Sequence, residues 1–468
     1  MMRETESIIH RELEFLPLTT SANIVEGNAL RLNWEKIVSK SELNYIMGNP
    51  PFVGYKKRES AQRADLSMMF GDIKNIDYVA GWYYKAAKFV EKTSIQVACV
   101  STNSITQGEQ VFSVWKTLID NYGIDIDFAY RTFQWDSEAT KKAHIHCVII
   151  AFSYRGIRKQ KIIFDQEVSK KVRHINPYLV DADNVFIKRR LKPLSKCEEM
   201  LTGSEPRDGG FLLLGVDERE KILQKYPELE PYLPRFITGD DFINGDYRYC
   251  LWLKDAAPAL LYKYPFIVER LKKCREFRRN SKQQQAYKMA DYPFLFVSER
   301  QPATKYLLIP QASSENRRYI PIGYLNPDII VSNTCFTVAN ASPYTFGVLI
   351  SNVHMAWMRA VCGRLEMRYR YSNTIVYNNF PWPNPTHQQK SKIQQTAQEI
   401  LNVRSLYPDS TLAALYYDNT MPAKLKEAHR ANDLAVMEAY SFSGTTTNES
   451  EIVSKLMEMY RKITEAKE

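Results

Sequence analysis

The stretch Tyr45-Ile46-Met47-Gly48-Asn49-Pro50-Pro51-Phe52 constrains this chain more than any other. A short apolar run, readable as a buried strand, stops at Asn-Pro-Pro-Phe. Proline lacks a backbone N–H and fixes φ, and the residue before a proline is driven out of the helical region. The chain therefore leaves the strand extended. The carbonyl of Pro50 and the side-chain oxygen of Asn49 can then both face the space beyond the strand, beside the ring of Phe52. Two acceptors next to an aromatic ring suit an exocyclic amino group on a nucleobase. The lone pair of such a nitrogen is conjugated into its ring and is a poor nucleophile. Hydrogen bonds from its two hydrogens to two acceptors favour a pyramidal nitrogen with a freer lone pair, while Phe52 stacks on a base drawn out of the duplex. No charged base is required, because the proton leaves after attack. The plainer reading of the same residues is a proline turn closing a strand.

The surrounding pattern alternates strand and helix. Residues 1–22 read as helical or irregular, and Asn23-Ile24-Val25-Glu26-Gly27-Asn28-Ala29-Leu30 as a short strand and turn. A polar loop follows the proline motif to about Asp77. Tyr78, Val79, Trp82, Tyr83, Ala86, Ala87, Phe89 and Val90 then recur at helical spacing. Residues 95–100 read as a buried strand, with Ser101-Thr102-Asn103-Ser104 as the loop at its end. A helix over 111–119 and strands over 124–130 and 145–152 complete the set. The alternation predicts an α/β fold, an open and mostly parallel sheet with its ligands at the C-terminal edge, where Asn49 and Asn103 both fall. Phe133 and Trp135 are candidates for a second wall against a flipped base, with core packing as the alternative. His144 and His146 share one face of a strand, but no third ligand accompanies them, so no metal is expected.

At 468 residues the chain has room for two or three domains. The texture changes near residue 160 to short segments punctuated by proline, glycine and aromatics. It changes again after Phe380-Pro381-Trp382-Pro383 to long helical patterns over 393–406, 422–440 and 450–463. This divides the chain into 1–158, 159–384 (α+β, with one helix over 347–361) and 385–468. In the middle part, the segment 309–321 places Arg317 and Arg318 in a polar loop. Gly363-Arg364-Leu365-Glu366-Met367-Arg368-Tyr369-Arg370-Tyr371-Ser372 alternates strictly, so Arg364, Glu366, Arg368 and Arg370 are expected on one face of one extended strand. A solvated edge strand would account for them, but the aromatic interleaving favours DNA. Arg368 suits guanine O6 and N7, and Glu366 suits cytosine N4, so together they could read one C·G pair. Arg364 and Arg370 would hold phosphates.

A net charge of +10 agrees with a polyanionic partner. Basic clusters recur at 56–58, 170–173, 188–192 and 272–282, each of which a solvated helix face would also explain. The seven cysteines are scattered without a Cys-x-x-Cys pair, and no apolar run reaches membrane-spanning length. Reduced thiols, a cytoplasmic location and no membrane contact are expected.

Asn-Pro-Pro-Phe after a strand resembles the fourth motif of amino-methyltransferases that use S-adenosylmethionine. In that superfamily it is typical of enzymes that make N6-methyladenine in DNA, and it also occurs in some RNA and protein-glutamine methyltransferases. Gly27-Asn28-Ala29-Leu30 matches the superfamily's preceding cofactor-adenine motif, which implies Asn28, Ala29, Leu30 and Asn49 at the cofactor. Taken with Phe133-Gln134-Trp135-Asp136, Ser313-Ser314-Glu315-Asn316-Arg317-Arg318-Tyr319-Ile320-Pro321, the 363–372 segment and Phe-Pro-Trp-Pro, the chain is similar to the MmeI-like, type IIL restriction–modification enzymes over nearly its whole length. The resemblance implies a methyltransferase domain, a target-recognition domain and C-terminal helices. It implies methyl transfer from S-adenosylmethionine to N6 of a flipped adenine in duplex DNA, with Asn49, Pro50, Pro51 and Phe52 catalytic. In that family a Glu-x-Arg pair reads one base pair, which matches Glu366 and Arg368.

Family members carry upstream a nuclease, a helical spacer and a Phe-x-Gly-x-Gly cofactor loop. This sequence shows neither that loop nor a Pro-Asp…Glu-x-Lys nuclease pattern. The expectation is an N-terminally truncated chain whose missing nuclease and cofactor-binding segment is a partner. Its sheet would be incomplete on the N-terminal side, the strand at 24–25 displaced and the cofactor site incomplete. The competing expectation is a catalytically inactive, sequence-specific DNA-binding fragment. A methyltransferase acting on RNA or protein is a third.

Overall fold

The first sheet grows from apolar runs bounded by polar loops, and the computed structural model describes it within residues 23–73, 75–135, 145–444 and 447–467. The readings of residues 1–22 and of His144 lie outside these. Its strands are β1 (Tyr45–Gly48), β2 (Gln96–Thr102), β3 (Ile124–Trp135), β4 (Ile145–Tyr154), β5 (Lys161–Asp165) and β6 (Val168–Val172), in the order β1-β2-β4-β3-β5-β6. Three helices accompany them: α1 (Ser60–Phe70), α2 (Ala80–Val90) and α3 (108–122), the last with a π turn at Val111–Trp115. Tyr83 of α2 lies near-parallel to Phe152 of β4 at 5.8 Å and edge-on to Trp115 of α3 at 5.6 Å. The two helices thus bury their aromatic faces together against the sheet, a packing in which each large ring removes substantial apolar area from water.

The sheet is open, as the alternation implied, but mixed rather than mostly parallel. Only β1–β2 and β3–β5 run parallel among its five pairings. The cause is the connection between β3 and β4: it is too short for a crossover helix, so the two strands pair antiparallel. β1 is also not buried. It is the edge strand, and Tyr45 and Met47 are 59% and 79% exposed. An apolar run reads the same at a sheet's edge as at its centre. The strand expected at 24–25 does not form, and Ile24 and Val25 are exposed. The turn after it does form: Asn28 O accepts from Arg31 N and Leu32 N at 2.9 and 3.0 Å.

β5 and β6 continue the first sheet past residue 160, so the change of texture there falls inside it. The middle region then builds three small sheets. These are β14 (Ile330–Val331)-β9 (Arg235–Ile237)-β10 (Arg248–Cys250)-β8 (Leu213–Leu214), β13 (Gly323–Leu325)-β11 (Tyr306–Pro310)-β15 (Cys335–Ala339)-β7 (Met200–Thr202), and β12 (Ala312–Ser313)-β17 (Arg368–Arg370)-β16 (Gly363–Leu365). A separate apolar cluster around Leu229, Phe236, Ile267 and Phe296 supports the first of these, with α4 (Pro265–Arg279) packed into it. The larger core runs from the first sheet through residues 307–382 into the C-terminal helices.

The helix read over 347–361 is two helices, α5 (Pro343–Leu349) and α6 (Asn352–Val361). Ser351 interrupts them and caps the second by accepting from His354 N. At the C-terminal end, α7 (His387–Ser405), α8 (Ala423–Ala439) and α9 (Glu449–Glu465) follow the periodicities seen in the sequence, and Trp357 of α6 meets Tyr460 of α9 at 6.0 Å. Among the described residues no helix is long and apolar enough to cross a membrane.

Candidate active site and nucleic-acid interface

β1 and β2 are adjacent and parallel, with Gly48 opposite Cys99, so Asn49 and Asn103 leave neighbouring strands at the same edge. Asn49 is exposed, Pro50 buried, Pro51 exposed and Phe52 half-buried. Val53 N donates to Pro51 O at 3.2 Å, which turns the loop, and among the described residues no backbone N–H takes up the Pro50 carbonyl. Neither that carbonyl nor the exposed Asn49 side chain is engaged by another described residue. Asn103 is buried, and its side-chain nitrogen has no partner among the described residues.

Beyond Phe52 opens a cleft of about 670 Å³. Its lining includes Phe52, Lys56 and Lys57 from the proline loop and Gln311, Arg364 and Arg370 from the middle region. The structure thus brings the proline loop and two of the six arginine and glutamate candidates onto one space. Lys56 and Lys57 are exposed beside it, whereas Arg58 of the same cluster is buried and donates from Nε to Tyr55 O at 3.3 Å. Sequence reasoning missed Gln311, which carried no pattern.

The 363–372 segment is not one strand. β16 and β17 form a tight hairpin with Arg364 opposite Tyr369 and Leu365 opposite Arg368. The two residues at its tip are Glu366 and Met367, and Glu366 has φ +59°. Opposite residues of an antiparallel pair share a face. Arg364 therefore sits with Tyr369, its guanidinium 4.4 Å from that ring, while Arg368 and Arg370 occupy the other face. The single-face expectation fails because the reversal uses neither Gly nor Asn, the residues that announce such turns. The hairpin nonetheless brings Glu366 and Arg368 together, with Oε2 and Nη2 3.2 Å apart and side chains 69% and 52% exposed.

Arg317 and Arg318 line a neighbouring cavity of about 700 Å³ with Arg359 and Tyr369. Arg317 Nε is buried and unpartnered among the described residues, and burial lowers the pKa of that guanidinium. Arg359 is held by Glu449 through two bonds of 2.8 Å, which raise its pKa against the opposing effect of burial. Phe133 and Trp135 stand 6.3 Å apart on β3, outside the residues that line the Phe52 cleft. Trp135 is 37% exposed.

For the cofactor that the sequence resemblance implies, the turn at Asn28–Leu30 is already organised. Asn28 Nδ2 donates to Asp65 Oδ2 at 3.1 Å, and Asn28 Oδ1 accepts from Leu30 N at 2.9 Å. Arg31 Nε and Tyr78 OH also bind Asp65, at 2.7 and 2.8 Å. Trp34 Nε1 takes the Ala29 carbonyl at 3.0 Å, Lys85 Nζ takes that of Leu30 at 2.7 Å, and the Leu30 side chain is buried in the core. One lone pair of Asn28 Oδ1 remains for an adenine amino group, so this turn fits that end of such a cofactor. Among the described residues no three His, Cys, Asp or Glu side chains gather as metal ligands.

Three family models match the chain in succession: the MmeI DNA-methyltransferase domain over residues 1–165, the MmeI target recognition domain over 181–384, and the MmeI C-terminal domain over 385–467. DNA methyltransferase A of Bacillus subtilis (strain 168) is 38% identical over 471 residues, covering 99% of this chain and 53% of that protein. The solved structure of the Type IIL restriction-modification enzyme MmeI in complex with DNA superposes with a TM-score of 0.89 at 41% identity, covering 99% of this chain and 63% of that one. The chain thus spans between half and two thirds of the length of these relatives. It belongs to the MmeI-like restriction–modification family, with that family's methyltransferase, target-recognition and C-terminal domains in order along the sequence.

Proposed function

We propose that this chain is the catalytic and recognition part of a type IIL, site-specific DNA methyltransferase that acts on N6 of a flipped adenine. The observation that carries the reading is the shared cleft, whose lining includes both Phe52 of the proline loop and Arg364 and Arg370 of the recognition hairpin. A base extruded from a duplex held by the hairpin enters beside Phe52, which covers its face. Asn49 Oδ1 and the unengaged Pro50 carbonyl accept its two amino hydrogens, while Pro51 keeps the loop extended. Lys56, Lys57, Arg364 and Arg370 neutralise phosphates and set the register of the duplex without reading sequence. Glu366 and Arg368, paired at the exposed tip, reach one base pair, and Arg317 and Arg318 lie along the adjoining cavity toward the flanking DNA. Phe133 and Trp135 supply a second aromatic surface near the sheet edge. S-adenosylmethionine, when bound, supplies the electrophilic methyl group; Asn28, Ala29, Leu30 and Asn49 would hold its adenine end.

A second reading is a sequence-specific binder without transfer activity. The internal hydrogen bonds that already engage both ends of the Asn28 amide and the exposed edge strand β1 favour it. Selection of a duplex from a random library by the purified chain, followed by calorimetric titration with S-adenosylmethionine, tests the two together. Saturable cofactor binding and loss of duplex affinity in Arg364→Ala and Arg370→Ala support the methyltransferase. Duplex binding indifferent to the cofactor supports the binder, and equal affinity for single-stranded RNA overturns both.

A further inference from the structure

The loop that carries Phe52 is held from outside itself. Tyr55 N donates to Asp77 Oδ1 at 2.8 Å, and Tyr78 N donates to Val53 O at 2.9 Å, so two bonds clip residues 53–55 onto 77–78. The other carboxylate oxygen of Asp77 accepts from Ser104 Oγ at 2.5 Å and from Gln110 Nε2 at 2.8 Å. Asp77 N in turn donates to Gln110 Oε1 at 3.1 Å. Three donors from three segments thus converge on one carboxylate that is only 6% exposed. Charge-assisted bonds of this kind are roughly twice as strong as neutral ones.

The three segments are the proline loop, the end of β2 and the start of α3. The start of α3 also touches the recognition hairpin. Gly108 has φ +55°, and a Cβ built on it would lie 3.6 Å from both Cα and N of Gly363, the first residue of β16. Two glycines let the backbones meet where the methyltransferase sheet adjoins the recognition domain. Asp77 lines the same cleft as Phe52, Arg364 and Arg370.

We propose that Asp77 is a positioning residue that fixes the Phe52 loop against the base of the recognition hairpin, so that the base held and the base pair read stay at one separation. This rests on the methyltransferase reading above. The position calls for an acceptor at both oxygens. An asparagine there keeps an acceptor for Tyr55 N but turns an amide donor toward the Gln110 Nε2 donor and forces the Ser104 hydroxyl to reverse its role. Gln110 cannot flip to meet it without giving up its bond from the residue 77 amide. Replacing Gln110 by Glu restores an acceptor opposite that amide and keeps the acceptor for the residue 77 N–H.

The test uses the full chain and the duplex it selects from a random library, with 2-aminopurine replacing each adenine in turn. A fluorescence rise reports the base that leaves the stack. Wild type is expected to give the rise at one position. Asp77→Asn is expected to bind with affinity within about threefold of wild type, since phosphate contacts dominate affinity, yet to lose most of the rise at matched occupancy. Asp77→Asn combined with Gln110→Glu is expected to recover it. A full rise in Asp77→Asn overturns the positioning role and leaves the methyltransferase reading intact. No rise at any position in wild type overturns base extrusion, and the role of Asp77 with it. Should Asp77→Asn fail to fold, Ser104→Ala removes one donor from the same oxygen: a reduced rise supports the proposal and an undiminished one overturns it.

Discussion

Arg278 sits in the middle of the most basic run of the sequence, 272–282, yet it is fully buried, while Lys272, Lys273, Arg275, Arg279 and Lys282 are exposed. Each of its five N–H groups finds a separate backbone carbonyl. Nε donates to Arg207 O at 3.1 Å, Nη1 to Met289 O and Tyr292 O at 3.0 Å each, and Nη2 to Pro206 O and Leu295 O at 2.8 and 2.7 Å. One guanidinium therefore pins the loops at 206–207 and 289–295 to α4. Lysine keeps the charge but brings only three donors, so Arg278→Lys withdraws a donor from two of the five carbonyls. Met289 O and Tyr292 O also accept from Tyr292 N and Leu295 N, at 3.2 and 3.1 Å, whereas Arg207 O, Pro206 O and Leu295 O have no second donor among the described residues. A lost hydrogen bond costs about 0.5–1.5 kcal/mol and a carbonyl left wholly unsatisfied about 1–3 kcal/mol, so the expected loss is about 1–6 kcal/mol. Arg278→Met removes the side-chain donor from all five and leaves Arg207 O, Pro206 O and Leu295 O without any donor among the described residues, so it is expected to cost more than the lysine variant. Urea unfolding followed by tryptophan fluorescence measures both. Where the lysine variant is still folded, the salt dependence of its DNA affinity should match wild type, because the side chain does not reach phosphate. A lysine variant within about 0.5 kcal/mol of wild type, the range of an ordinary surface substitution, would refute the reasoning.

Exchanging Glu366→Lys together with Arg368→Asp should move specificity at one base pair by about 1–3 kcal/mol. Both side chains are exposed, so folding should change little; an unchanged selected site would contradict the assignment. Burial holds the His354 imidazole down to about 3, with Nε2 2.8 Å from Tyr371 OH. Its folded pKa lies below the unfolded value, so it adds stability above about pH 6.5 that is lost as pH falls toward 3, by about 1.4 kcal/mol per unit. His354→Gln should flatten the acid limb by that slope in urea midpoints taken across the range, and an unaltered limb would count against it. Gly203→Ala would drive a Cβ into Ser332 O and to 2.7 Å from Val331 O, both backbone atoms. It should unfold or strongly destabilise the chain in thermal denaturation, and a midpoint equal to wild type would exclude that packing.

Periodicity revealed the long helices and β2 because each has a clear buried face. It did not reveal α1, whose composition is polar and whose start is marked only by the capping box of Glu59 and Gln62. The acceptors at Asn49 and Pro50 were legible because proline fixes its own backbone. The hairpin of β16 and β17 was not, because Glu366 takes a left-handed conformation without a glycine to signal it. Arg278 cannot be told from its neighbours in a run of charge, since its burial depends on carbonyls 71 and 72 residues away at Arg207 and Pro206. The Asp77 cluster is hidden for the same reason: its partners Tyr55, Ser104 and Gln110 lie 22, 27 and 33 residues away. Local chemistry was readable; convergence of distant segments was not.

The most direct test of the account is to incubate the folded chain with its selected duplex and S-adenosylmethionine, digest the DNA to nucleosides and identify the methylated base. The account predicts N6-methyladenine at one position with wild type, and none with Asn49→Ala although that variant still holds the duplex. Label on another base, or turnover retained by Asn49→Ala, would contradict it. So would the absence of transfer by a chain that binds both cofactor and DNA.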